Sequence, residues 1–245
     1  MKVTVLGYLG GYPADNIGTS AYLLESGSYH LLLDCGSGAL LNLQHVLDPL
    51  QLDAVILSHY HHDHTADVGV LQYYWQLRQG DKKEPVLPIY GSSQDPLNFA
   101  SLTMQGITQG KAYDPDATLQ LGPFKINFLR TVHPVPAYAM RIEEQETGKT
   151  LVFTADTAFF DGLVPFSKYA DLLMADTNFL ADKPGKIWHM TSAQSGELAR
   201  RAQVGKLLLT HLPQQLDLQV LLDQARTAAG NVPTKLASLG QTIQV

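Results

Sequence analysis

The feature that most constrains this chain is the segment from Ser58 to Thr65, which holds four histidines and one aspartate within six consecutive positions. It directly follows an apolar run at residues 54–57, which is typical of a buried strand. Imidazole and carboxylate groups bind divalent cations, so a strand that ends in such a segment predicts a metal site at a sheet edge. The alternative, a solvated polar loop, would not require imidazoles at this density.

Two histidines of this segment, His59 and His61, are two positions apart. Side chains alternate along an extended chain with a period of two, so both rings point the same way and can bind one cation. Asp63 and His64 continue past the strand end, where the chain turns and can reach a second cation beside the first. The spacing alone therefore allows two neighbouring ions.

The composition is that of an ordinary globular protein. Of the 245 residues 45% are apolar and 16% are charged, which excludes a disordered chain. No apolar run approaches the roughly 20 residues that cross a bilayer, and the N-terminal segment lacks the features of a signal peptide. The single cysteine, Cys35, fits a reducing compartment. We therefore expect a cytoplasmic protein with no membrane contact.

Apolar runs and turn-forming segments alternate along the first half of the chain and predict separate strands and helices. Strands are expected at residues 3–6, 20–24 and 30–34, and a helix at residues 39–46. A single helix is predicted from Thr65 to Gln79, directly after the histidine segment. Residues 106–118 show no clear pattern.

Three apolar runs in the second half of the chain each end on a residue that can bind a metal. These residues are His133 after residues 124–131, Asp156 after residues 151–155, and His211 after residues 206–210. Pro134 favours an extended backbone for His133, which would hold that ring rigidly. Repeated strand ends of this kind indicate that the second half contributes to the same type of site.

The pattern His59-x-His61-x-Asp63-His64 resembles the signature of the metallo-β-lactamase superfamily, and the later ligand candidates follow in that family's order. The resemblance implies an α/β fold, a four-layer αββα sandwich, in a single domain of residues 1–245. This domain would consist of two pseudo-equivalent halves, about 1–122 and 123–245. Zinc, two ions per chain, is the expected cofactor because no cysteine takes part, and manganese or iron are the alternatives. The implied ligands are His59, His61 and His133 for one ion, Asp63, His64 and His211 for the other, and Asp156 for both.

The same resemblance gives Asp34 a role near the metals. A strand ends on this aspartate and enters a glycine-rich turn. The family places an aspartate here that orients the metal-binding groups, since metal-bound imidazoles usually donate their other N–H to such a partner. The alternative is that Asp34 caps the helix at residues 39–46.

Two further segments, at residues 131–142 and 187–194, are similar to the ribonuclease Z branch of the family. In that branch the histidine matching His189 contacts the scissile phosphate or protonates the leaving group. Thr191 and Gln194 have the spacing of a capping box before a helix. The alternative for His189 is a capping or core histidine.

The chain departs from ribonuclease Z in one respect. Those enzymes insert a long transfer-RNA-binding arm between the ligands that match His133 and Asp156, whereas these positions are only 23 residues apart here. This length allows a hairpin and no arm. The net charge of −6 argues against an extended nucleic-acid surface. We therefore expect a small substrate: a cyclic nucleotide, a short RNA end or a synthetic phosphodiester.

The function predicted from these observations is a phosphodiesterase that acts through a metal-bound hydroxide. Asp63 and Asp156 would orient the hydroxide, and His189 would act as the acid. A carboxylic ester, lactone or thioester hydrolase on the same metals is the main alternative. A di-iron oxidoreductase would need a redox partner domain for which this chain has no room, and a non-catalytic scaffold would not need seven ligands. The resemblance also allows a homodimer.

Overall fold

The computed structural model describes all 245 residues, which form two compact units. The first unit comprises Met1–Asp114, Leu121–Pro123 and Ser238–Gln244, and the second comprises Pro115–Gln120, Phe124–Ala237 and Val245. The single domain with halves of about 1–122 and 123–245 stays a prediction. Each unit contains one seven-stranded sheet.

The sheet of the first unit has both parallel and antiparallel strands. Its strands are β1 (Lys2–Gly7), β2 (Ala21–Ser26), β3 (Tyr29–Leu33), β4 (Ala54–Ile56), β5 (Leu87–Gly91), β6 (Thr108–Ala112) and the last strand of the chain, β14 (Thr242–Gln244). The spatial order is β14-β1-β2-β3-β4-β5-β6. The pairs from β14 to β3 are antiparallel, and those from β3 to β6 are parallel. Because β3 pairs in parallel with β4, Asp34 and the histidine segment leave the sheet at the same edge.

The sheet of the second unit has a similar mixed organisation. Its strands are β7 (Leu119–Leu121), β8 (Phe124–Arg130), β9 (Tyr138–Glu144), β10 (Thr150–Phe153), β11 (Leu172–Asp176), β12 (Leu207–Thr210) and β13 (Thr234–Leu236). The spatial order is β13-β12-β11-β10-β9-β8-β7, with β10 to β13 parallel and β9 antiparallel to both β8 and β10. Strands β8, β10, β11 and β12 therefore all end at one edge. The antiparallel pair β9–β10 occupies the interval between His133 and Asp156, which is too short for the transfer-RNA-binding arm of ribonuclease Z.

Four short helices accompany the first sheet. They are α1 (Ala39–Leu43), α2 (His62–Thr65), α3 (Val68–Leu77) and α4 (Pro96–Ser101), with a 3₁₀ turn at Pro49–Gln51. The core packs apolar strand residues such as Leu32 and Val55 with Leu71 and the fully buried Trp75 of α3. Burial of this apolar surface is what fixes the strand ends that carry the polar groups.

The second sheet is accompanied by α5 (Leu163–Ser167), α6 (Ser192–Ala202) and α7 (Leu218–Ala229). Helix α6 packs on β11, β12 and α7. It begins with the predicted capping box: the Thr191 hydroxyl accepts a bond from the Gln194 N–H at 3.3 Å, and the Gln194 side chain accepts from the Thr191 N–H at 3.0 Å. This box places the residues just before Thr191 at a defined position.

Two mixed sheets with their helices confirm the predicted α/β fold class. None of the helices combines the length and the apolar character needed to cross a bilayer.

The predicted helix from Thr65 to Gln79 is confirmed over Val68–Leu77 and wrong at its two ends. Helix α2 ends at Thr65, and α3 begins at Val68 after Asp67. Asp67 interrupts the helix because its N–H donates to the Cys35 carbonyl at 3.1 Å and its carboxylate accepts from the Leu40 N–H at 3.0 Å. These bonds attach the histidine segment to the turn after β3. The unpatterned span at residues 106–118 contains strand β6, whose single buried residue, Thr108, is polar.

Candidate metal centre

The histidine segment leaves β4 and brings four ligand-type side chains together within the first unit. The Nε2 atom of His59 lies 3.1 Å from Nδ1 of His61, and the rings of His59 and His64 have centroids 4.1 Å apart. The Nε2 atom of His64 lies 3.6 Å from Oδ2 of Asp63. His59 and His64 are buried, whereas His61 and Asp63 are partly exposed.

Asp34 is fully buried beside this segment and accepts hydrogen bonds from several donors. Its carboxylate accepts from the Ser20 hydroxyl at 3.0 Å, from the Ser58 N–H at 2.8 Å and from the Ser58 hydroxyl at 3.0 Å. Nδ1 of His64 donates to it at 2.7 Å. Asp34 does not cap the following helix, because the N-cap position of α1 is Gly38 and no side chain bonds there.

These bonds determine which ring nitrogen of each histidine carries the proton. His64 donates Nδ1–H to a carboxylate, so its Nε2 holds the lone pair. The Ser58 hydroxyl uses its only proton on Asp34 and must therefore accept from Nδ1 of His59, which lies 3.1 Å away. Nε2 of His59 is thus also a lone-pair nitrogen, the form that binds a metal.

The second unit brings its ligand candidates together at the edge where β8, β10 and β12 end. Asp156 is central: its Oδ2 lies 3.8 Å from Nε2 of His133, and its Oδ1 lies 3.4 Å from Nε2 of His211. Nδ1 of His133 donates to the carbonyl of Trp188 at 3.3 Å, so Nε2 is again the lone-pair nitrogen. All three side chains are buried.

Asp176 is a site residue that the sequence analysis missed. Its Oδ2 accepts from Nδ1 of His189 at 2.9 Å, and its Oδ1 lies 3.3 Å from Nδ1 of His211. The ligand atoms of Asp156, Asp176, His189 and His211 all lie within 4.8 Å of one another. The signal was present in the sequence, because Asp176 ends the apolar strand β11 in the same way that Asp156 follows β10.

His189 lies between two carboxylates and a second imidazole. Its ring stacks on that of His211 with centroids 4.9 Å apart, and its Nδ1 is 3.9 Å from Oδ2 of Asp156. Burial alone would lower the pKa of His189, but the charge and hydrogen bond of Asp176, aided by Asp156, outweigh it and raise the pKa above its ordinary value. The helix α6 is capped by Thr191, so His189 is not its cap.

Three residues at these strand ends have left-handed backbones although none is glycine. The φ angles are +56° at Asp34, +50° at Ala155 and +52° at His211. Each residue lies just after a strand with a parallel neighbour, β3, β10 or β12. Such conformations cost about 1–3 kcal/mol and cluster at functional sites.

The donor geometry of each unit fits metal ions. Two ligands bound to one zinc at roughly 2.0–2.1 Å in tetrahedral geometry lie roughly 3.3–3.4 Å apart. The corresponding separations are 3.1 Å for His59–His61, 3.6 Å for Asp63–His64, and 3.4 and 3.8 Å for the two contacts of Asp156 with histidines. Borderline cations such as zinc prefer such sets of imidazole and carboxylate ligands.

Comparison with known proteins identifies the family. The model of the Beta-lactamase superfamily domain matches residues 29–212. The chain is 51% identical to the Probable metallo-hydrolase YhfI of Bacillus subtilis over 87% of each chain. It matches the crystal structure of the metallo-beta-lactamase fold protein YhfI from Bacillus subtilis with a TM-score of 0.93, over 99% of this chain and 98% of the other. It is 25% identical to the Ribonuclease Z of Thermoplasma acidophilum, over 80% of this chain and 81% of that one.

These matches confirm the resemblance that was read from the sequence, including the relation to ribonuclease Z. The histidines and aspartates at the strand ends are consistent with these matches. The chain belongs to the beta-lactamase superfamily.

Proposed function

We propose that this protein is a metal-dependent phosphodiesterase that hydrolyses a small phosphodiester or nucleotide at a dinuclear centre. The observation that carries the proposal is the protonation pattern of the histidines. His59, His64 and His133 each direct Nδ1–H at an oxygen acceptor, which is buried for the first two, and keep Nε2 as the lone-pair nitrogen. A set of imidazoles prepared in this way has the form that binds metal. The family and its metallo-hydrolase relative support the same reading.

The ligand assignment follows the family resemblance. The proposed sets are His59, His61 and His133 for one ion, Asp63, His64 and His211 for the other, and Asp156 for both. Zinc is the default metal because the ligands are imidazoles and carboxylates without cysteine, and manganese or iron are alternatives. When bound, two such ions lower the pKa of a water towards 7 and neutralise charge on phosphoryl oxygens.

The protein's own groups prepare the reaction around that centre. Asp34 holds His64 through a 2.7 Å bond and holds His59 through Ser58. Asp63, in the proposal, orients the attacking water. Asp176 keeps a proton on Nδ1 of His189 and raises the pKa of that ring, so that the imidazolium form persists to higher pH. His189 then donates a proton to the departing oxygen, a role in which a positioned acid contributes about 10²–10⁴-fold.

The loop around His189 favours an anionic substrate. The ends of this loop are joined by bonds from the Ser192 N–H to the Phe179 carbonyl at 2.8 Å and from the Asn178 N–H to the Met190 carbonyl at 3.1 Å. Two exposed lysines lie on it: Nζ of Lys183 is 4.9 Å from the centre of the Phe179 ring, which contacts His189 at 6.0 Å between ring centroids. Lys186 covers the Trp188 ring at 4.3 Å.

The second candidate is a carboxylic ester, lactone or thioester hydrolase on the same metals. Proton donation to a leaving oxygen or sulfur and two metal ions serve that chemistry as well. The lysines distinguish the two, because a neutral ester gains little from an ammonium group whereas a phosphodiester carries a negative charge throughout the reaction. A small substrate is proposed in both cases, because the 23 positions from His133 to Asp156 contain the β9–β10 pair and leave no room for an RNA-binding arm.

The experiment combines metal content with a substrate panel. We expect about two ions per chain, and turnover of bis-p-nitrophenyl phosphate that exceeds turnover of p-nitrophenyl acetate, a lactone and a thioester. In the Lys183→Ala/Lys186→Ala double variant, KM for the phosphodiester should rise several-fold, while KM for a neutral ester stays unchanged. Ester or lactone turnover without phosphodiester turnover would establish the second candidate. A folded protein that retains no added zinc or manganese would contradict both.

A further inference from the structure

A loop far from the histidine segment in sequence bonds directly to one of the proposed ligands. The N–H of Gly11 donates to Oδ2 of Asp63 at 2.6 Å, although the two residues are 52 positions apart. The acceptor is a carboxylate, so the bond is charge-assisted and stronger than one between two neutral groups. Asp63 is partly exposed, and the same Oδ2 lies 3.6 Å from Nε2 of His64.

The backbone at Gly11 has a conformation that side chains disfavour. Its φ is +77°, and an added Cβ would meet no atom within 4 Å. Steric crowding therefore does not require glycine here, whereas the left-handed backbone does. The next residue closes a tight turn, because the Tyr12 N–H donates to the Gly10 carbonyl at 2.9 Å. This turn directs the Gly11 N–H at Asp63.

The loop that carries Gly11 is fixed at its base. The N–H groups of Tyr8 and Leu9 both donate to the Gly18 carbonyl, at 3.0 and 3.1 Å. Ala14 and Ile17 exchange two backbone bonds across a turn, at 3.1 and 2.7 Å. The Gly11 amide is thus presented from a closed loop rather than from a free segment.

The other side of the contact is also fixed. The Cys35 N–H donates to the His64 carbonyl at 2.8 Å, and the Asp67 N–H donates to the Cys35 carbonyl at 3.1 Å. Both segments are therefore held by bonds of their own, and the bond between Gly11 and Asp63 joins two fixed parts. A single hydrogen bond between such parts restricts the rotation of a carboxylate.

We infer that Gly11 is a positioning residue whose backbone N–H sets the orientation of the Asp63 carboxylate towards its metal ion. The inference rests on the proposed function, in which Asp63 is a ligand. Gly11 orients Asp63 in the way that Asp34 orients His64. Gly11 donates its N–H to a carboxylate, whereas Asp34 accepts a hydrogen bond from an imidazole. Partners of this kind change metal affinity by about 10–100-fold when removed.

The test compares proline at two left-handed glycines. Gly11→Pro removes the N–H and the positive φ together, whereas Gly27→Pro places the same ring at another exposed glycine, with φ +57° and no atom within 4 Å of an added Cβ. Zinc affinity is measured by titration of the metal-free proteins against a chromophoric chelator. We expect Gly11→Pro to bind one of two ions about 10–100-fold more weakly, and the other ion as in wild type. Gly27→Pro should bind both as wild type does.

Asparagine provides the rescue. Asn tolerates left-handed backbone and keeps the N–H, so Gly11→Asn should bind both ions with affinities close to those of wild type. If Gly11→Pro does not fold, Gly11→Val replaces it, with Gly27→Val as its match. Equal zinc titrations for the Gly11 and Gly27 variants would overturn the inference while leaving the proposed function intact. A wild-type protein that binds no zinc would instead remove the proposed function itself.

Discussion

The two units build their parts of the candidate centre in different ways. In the first unit, His59, His61, Asp63 and His64 come from one segment after β4. In the second, His133, Asp156 and His211 come from the ends of three strands that are widely separated in sequence. The first part therefore depends on one turn being correctly formed, and the second on the correct pairing of a sheet.

Each unit nevertheless uses one buried aspartate to orient its imidazoles. Asp34 bonds to His64 directly and to His59 through Ser58, and Asp176 contacts both His189 and His211. The difference lies in what the oriented rings do. Asp34 orients only histidines that are proposed ligands. Asp176 contacts one proposed ligand, His211, and the proposed acid, His189.

The largest effect should come from removing one ligand in each unit. We expect His64→Ala and His211→Ala to lose the same ion, leaving about one of two per chain, because the proposal assigns both residues to that ion. Turnover should fall by at least about 10³-fold, since loss of one electrostatic stabiliser alone costs about 10²–10³-fold. Metal analysis of the purified variants decides this. In the His64→Ala/His211→Ala double variant about one ion should remain, and loss of both ions would break the proposed assignment.

The next largest effect should come from removing His189, the proposed acid, which has no counterpart in the first unit. His189→Ala should lower kcat by about 10²–10⁴-fold while the protein keeps its full metal content, because an acid is removed and no ligand is. Stopped assays with bis-p-nitrophenyl phosphate measure kcat, and metal analysis of the same preparation measures the metal content. Loss of metal in parallel with activity would identify His189 as a ligand instead.

Replacing the two aspartates should separate their roles. Asp34→Asn and Asp176→Asn should each weaken metal binding or activity by about 10–100-fold. Only Asp176→Asn should also change the pH profile. Asp176 raises the pKa of His189, so the protonated acid is lost at lower pH without it, and the decline of kcat on the alkaline side should move to lower pH.

The pH–rate profiles of both variants and of wild type provide the measurement. An unshifted alkaline limb in Asp176→Asn would show that Asp176 does not control the proton of His189. A shift in Asp34→Asn of the same size would remove the distinction between the two aspartates.

The smallest effect tests how tightly the first unit is packed around its histidine segment. Cys35 is fully buried, and burial, together with the charges of Asp67 and Asp34, raises the pKa of its thiol well above the ordinary value. Because the thiolate is the reactive form, Ellman's reagent should modify native protein at least about tenfold more slowly than unfolded protein at pH 8. Equal rates would mean that this turn opens readily.

The fold class could be predicted from the sequence because it depends on local patterns, and the seven ligands stay a prediction. Apolar runs define the strands, and a polar group directly after such a run lies at a sheet edge. His59 and His61 could be interpreted from spacing alone, whereas the grouping of His133, Asp156 and His211 relied on the family resemblance.

Other features depended on contacts that no local pattern reports. Asp176 was missed although it ends the apolar strand β11, because its contacts with His189 and His211 appear only in the fold. The break at Asp67 arises from bonds to Cys35 and Leu40, which are more than 25 positions away. The contact of Gly11 with Asp63 joins residues 52 positions apart. Tertiary hydrogen bonds of this kind become visible only when the chain is folded.

The left-handed residues at Asp34, Ala155 and His211 have a consequence for the lifetime of the protein in the cell. Each conformation costs about 1–3 kcal/mol, out of the roughly 5–15 kcal/mol that keeps a typical domain folded. A metal-free copy would bear this cost without compensation, whereas ions that bind only the folded state would offset it. Copies made under metal starvation would unfold more often and be degraded sooner. Metal supply would then set the abundance of the protein as well as its activity.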